Sequence, residues 1–90
     1  MLRPGIARAA PFALEPGMTR EQVQTLFGLP DGTSMEVCGS EAQPKPRPWD
    51  CLIWRYGPET RGLRYAPVVP SVYIFFERVK GRWVVNSWRS

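Results

Sequence analysis

Ninety residues with a formal net charge of +4 allow one domain with a core of modest size. Ten prolines and eight glycines exclude a mainly helical chain, and no apolar run is long enough to cross a bilayer as a helix. The absence of histidine, with two cysteines outside Cys-x-x-Cys spacing, argues against a metal site, a cofactor or histidine-based catalysis.

Residues 1–15 show no clean period and read as an N-terminal arm, poorly ordered or holding one helical turn near Ile6–Ala10 that Pro11 stops. Ile6, Phe12 and Leu14 are its candidates for core contact. Ala7-Arg8-Ala9-Ala10 imitates the small-residue end of a secretory leader, but no apolar stretch precedes it here. Two readings stay open. In one, a leader is missing ahead of Met1 and the protein is periplasmic or associated with the cell envelope. In the other it is cytoplasmic, with an Ala/Pro arm.

From residue 16 to 90 a single α+β domain is expected. Thr19 and Gln22 form a Thr-x-x-Gln capping box, with Met18 and Val23 placed as a hydrophobic staple. Val23, Leu26 and Phe27 make one narrow apolar stripe, while Arg20, Glu21 and Gln24 face water. Gly28 suits a left-handed residue after the last turn, and Pro30 forbids continuation. So short a helix must dock on other elements to persist.

Asp31-Gly32 reads as a turn, and strands are expected over Thr33–Cys38 and Cys51–Tyr56. Between them, Pro44, Pro46 and Pro48 alternate, so the connection is extended and stiff. If the two strands pair antiparallel, Cys38 and Cys51 bracket that connection. A disulfide there would stabilise by about 3 kcal/mol and imply an oxidising compartment. A reduced cytosolic pair is the alternative.

Gly57–Pro70 is a second long connection. Ser71–Arg78 and Arg82–Trp88 then form a hairpin around Lys80-Gly81, with a turn of two or three residues. Alternation sets Val72, Ile74 and Phe76 against Tyr73, Phe75 and Glu77 on the first of these strands, and Trp83 and Val85 against Val84 and Trp88 on the second. The predicted fold is a short helical element, or two, on one face of a three- to four-stranded antiparallel sheet. Apolar residues on both faces then require that the second face be covered, by the arm or a loop, or that it receive a partner.

Gly17-Met18-Thr19, Gln22-Val23, Gly28-Leu29-Pro30, Trp54-Arg55-Tyr56, Phe75-Phe76 and Lys80-Gly81 occur in an order that resembles the SmpA/OmlA (BamE-like) family of small outer-membrane lipoproteins. The resemblance spans roughly Pro16 to Trp88. It implies a fold like that of the β-lactamase inhibitor protein and a role in binding another envelope protein. The family's lipid-bearing cysteine near the start has no counterpart here, because the first cysteine is Cys38.

Catalysis has little support. No acidic pair is spaced for acid–base work, neither cysteine has a histidine partner, and Gly28, Gly32 and Gly39 do not form a phosphate loop. The expected function is non-enzymatic protein binding. Candidate anchors are Trp49, Tyr65, Trp83 and Trp88, flanked by Arg55, Arg61 and Arg64. Trp54 and Tyr56 are assigned to the core, and Trp49 to an exposed position beside the proline loop. Nine of the twelve basic residues follow residue 44, so single-stranded nucleic-acid binding by a basic aromatic sheet is the alternative. Inhibition of a secreted enzyme is a more distant one.

Overall fold

The computed structural model describes residues 13–40, 45–59 and 71–89. They form one helix, α1 (Arg20–Phe27), and four strands: β1 (Gly32–Cys38), β2 (Trp49–Tyr56), β3 (Val72–Val79) and β4 (Arg82–Arg89). The strands make one antiparallel sheet in the order β1-β2-β3-β4. The arrangement is α+β, with the upper of the two expected strand counts. The proposed turn at Ile6–Ala10 lies outside the described residues.

α1 begins as its sequence dictates. The Gln22 amide donates to the Thr19 hydroxyl at 3.2 Å, and the Thr19 amide donates to Gln22 Oε1 at 2.9 Å, closing the capping box. Gly28 ends the helix at φ 82°, ψ −168°. This is not the left-handed conformation expected but an extended positive-φ region open essentially to glycine alone. Its amide still donates to the Gln24 carbonyl at 2.7 Å.

Val23 and Phe27 are fully buried in one cluster with Leu14, Trp54, Tyr56, Val72, Ile74, Phe76 and Val85. Leu26 and Met18 pack at its border, so the helical stripe faces the sheet. Two edge-to-face ring pairs stiffen the cluster, Phe27–Tyr56 at 5.8 Å and Trp54–Phe76 at 5.0 Å between centroids. The opposite face carries a smaller cluster of Cys51, Ile53 and Tyr73, bordered by Cys38, Trp49 and Phe75. The two-faced pattern of β3 is therefore as expected.

In β4 the alternation fails. Phe76 pairs with Val85 but Phe75 pairs with Ser87, so a bulge leaves Asn86 without an opposite residue. The extra residue reverses parity beyond it. Trp88 thus lies opposite Ile74 and packs with Trp83 and Val85 on the helix side, rather than opposing them. The hairpin has a two-residue turn: Val79 pairs with Arg82, and Lys80 and Gly81 both have positive φ, as a type I′ turn requires.

The two outer strands of the sheet differ. Beside β4, the Gly17 amide donates to the Val85 carbonyl and the Val85 amide to the Met18 carbonyl, each at 2.8 Å. Among the described residues, β1 pairs on one side only, with β2.

Candidate binding groove

The disulfide joins Cys38 and Cys51, with Cα atoms 5.9 Å apart. Its setting differs from the expected one. β2 starts at Trp49 rather than Cys51, so Cys38 is opposite Trp49, and Cys51 is opposite Glu36. The bridge therefore runs diagonally across two paired strands instead of spanning the mouth of the loop.

Next to this bridge, on the face away from α1, lies an open groove of about 580 Å³. Ile53 and Phe75, paired across β2 and β3, contribute its apolar surface. Cys38 and Trp49 border one side, and Arg89 the other, its guanidinium carbon 5.5 Å from the Phe75 ring centroid. Glu36 also borders the groove, so a carboxylate and a guanidinium flank an apolar strip.

Trp49 is half-buried rather than exposed. Gly39, at φ +76°, lets the chain turn tightly enough for the indole to lie against it. A Cβ there would sit 3.0 Å from Trp49 Nε1 and would collide with the Arg47 carbonyl. The Arg47 amide donates to the Gly39 carbonyl at 3.1 Å, which draws the two ends of the proline-rich connection together.

The other candidate residues do not converge on this groove. Arg55 is at the far end of the same face, where it donates to the Gly57 carbonyl and to the Asp31 carbonyl at 3.4 Å, and lies 4.0 Å from Glu59. Glu59 also accepts from the Tyr73 hydroxyl at 2.6 Å. Arg55 thereby joins the chain around Asp31 to the chain after β2, a structural task. Trp83 is on the helix side, with the Arg78 guanidinium 4.7 Å from its ring. Trp88 borders the groove but packs against the helix-side core. Arg61, Arg64 and Tyr65 lie outside the described residues.

Sequence reasoning missed Arg89 and Glu36 as groove residues. Glu36 had a signal, since its alternation with Cys38 puts it on the disulfide's face. Arg89 had none, because its side of the sheet depends on the bulge. Among the described residues, no group of three Cys, Asp or Glu side chains is arranged to hold a metal ion, and no helix is long and apolar enough to cross a membrane. No family model, curated protein or solved structure matches this chain.

Proposed function

We propose that the chain is a non-enzymatic protein-binding module, similar in kind to the SmpA/OmlA envelope domains, whose partner sits in the groove between Trp49 and Arg89. The observation that carries this reading is the groove's composition. An apolar strip of Ile53 and Phe75 is edged by charged Arg89 and Glu36, the apolar-centre, polar-rim layout of protein interfaces. Trp49 and Arg89 belong to two of the three residue types, Trp, Tyr and Arg, that are enriched among the anchors of such contacts. The cross-strand disulfide beside the groove supports an oxidising compartment such as the periplasm, where thiols are not kept reduced.

Site-specific photocrosslinking in envelope extracts tests the assignment. A crosslinker at Ser87, which borders the groove, should capture a discrete protein partner, and one at Gln24, on the outer side of α1, should not. Arg89→Glu should abolish the capture without changing the thermal transition. Equal capture from both positions, or capture indifferent to Arg89→Glu, would overturn the reading. Salt-sensitive binding of a single-stranded oligonucleotide at the groove would replace it with the nucleic-acid alternative.

A further inference from the structure

We infer that Cys38 is a thiol-exchange site, at which a low-molecular-weight thiol enters the Cys38–Cys51 bridge and from which Cys51 later expels it. This exchange does not depend on which partner the groove binds. The two halves of the bridge have unequal surroundings. Cys51 is 0% exposed and clusters with Ile53 and Tyr73. Cys38 is half-buried, ends β1 and borders the groove. A thiolate attacks only a sulfur that it can reach, so exchange is directed to Cys38. At about 580 Å³ the groove is of the size that holds small organic molecules, so the rest of the entering thiol has room beside Cys38.

The step balances without a separate oxidant or reductant. The incoming thiolate forms a bond to Cys38 Sγ, and the bond between the two Sγ atoms breaks with its electron pair going to Cys51 Sγ. That sulfur takes up a proton, because no water surrounds a bare charge there. The products are a mixed disulfide on Cys38 and a free thiol at Cys51. In the return step Cys51 gives up its proton, attacks Cys38 Sγ and releases the small thiolate.

The opened state finds its polar partner already in place. Cys51 Sγ lies 3.4 Å from the Glu36 carbonyl oxygen. Within the bridge this sulfur has no proton to donate, so the contact becomes a hydrogen bond only once the thiol forms. The buried thiol is then satisfied with no rearrangement of β2. Opening does not release β1 either, because seven residue pairs, from Gly32 with Arg55 to Cys38 with Trp49, still join it to β2. Cys51 is therefore held beside the adduct, where it competes with free thiols at a high effective concentration.

The test uses the oxidised full chain and an excess of reduced glutathione, quenched with acid at successive times and mapped by mass spectrometry. The first product should carry one glutathione, on Cys38, with Cys51 as a free thiol and the circular dichroism of the starting protein. Removing free glutathione by gel filtration at neutral pH should close the bridge and release the bound glutathione. Glutathione disulfide should modify native Cys51→Ser at least about tenfold faster than native Cys38→Ser, with similar rates in denaturant. Should either variant fail to fold, the time course on the unaltered chain decides. A first adduct on Cys51, adducts divided equally, no adduct at all, or equal native rates for the two variants would overturn the site. An adduct that persists after gel filtration would overturn the return attack by Cys51.

Discussion

The Tyr56 hydroxyl donates to the Gly28 carbonyl at 2.7 Å, tying the last residue of β2 to the residue that ends α1. The ring beneath that hydroxyl packs edge-on against Phe27 at 5.8 Å, so one side chain holds the helix both by its apolar body and by its polar tip. A residue in the conformation of Gly28 sends its carbonyl away from the helix axis, and Tyr56 supplies the donor there. Tyr56→Phe should keep the packing and lose the bond, costing about 1–2 kcal/mol and lowering the melting temperature by several degrees. Thermal denaturation of the two proteins checks this; an unchanged melting temperature would mean that water satisfies the carbonyl equally well.

Docking of the helical stripe is the second expectation. Val23 is 0% exposed and Phe27 1%, and both touch side chains of the sheet. Val23→Asp or Phe27→Asp would place a carboxylate with no compensating donor in that contact, at a cost of several kcal/mol. Against the small stability of a domain this size, either change should abolish cooperative unfolding. Circular dichroism melts would show this as the loss of a sigmoidal transition.

The bridge between Cys38 and Cys51 gives the third. Protein from an oxidising source, alkylated without reductant, should show no added mass at either cysteine. Replacing both by alanine should lower stability by about 3 kcal/mol, the scale expected for a closed loop of this length. Denaturant titration measures the difference, and a loss near zero would mean that the paired strands alone set the order of β1 and β2.

The helix was readable in the chain because its determinants are local. Thr19 caps with Gln22 three residues on, Val23 and Phe27 are four apart on one stripe, and Gly28 donates to Gln24 four residues back. The strands were readable from alternation, and so was the division of β3 into two faces. What escaped is non-local. Trp49 and Asp50 follow Pro48 and look like loop, yet they extend β2 because Val37 and Cys38 lie opposite them. The side taken by Trp88 and Arg89 depends on one residue of surplus length in β4 against β3, a mismatch that no single strand records. For the groove, the disulfide was legible, but the candidate arginines and tryptophans were scattered by these same long-range effects.

The main-chain bonds from Gly17 and Met18 to Val85 bear on how far this protein can assemble. Endless stacking of strands, as in a fibril, requires two unsealed rims on every molecule. Here the segment leading into α1 occupies one of them. The main-chain amide and carbonyl of Val85 are already engaged, so a strand arriving beside the middle of β4 finds neither available.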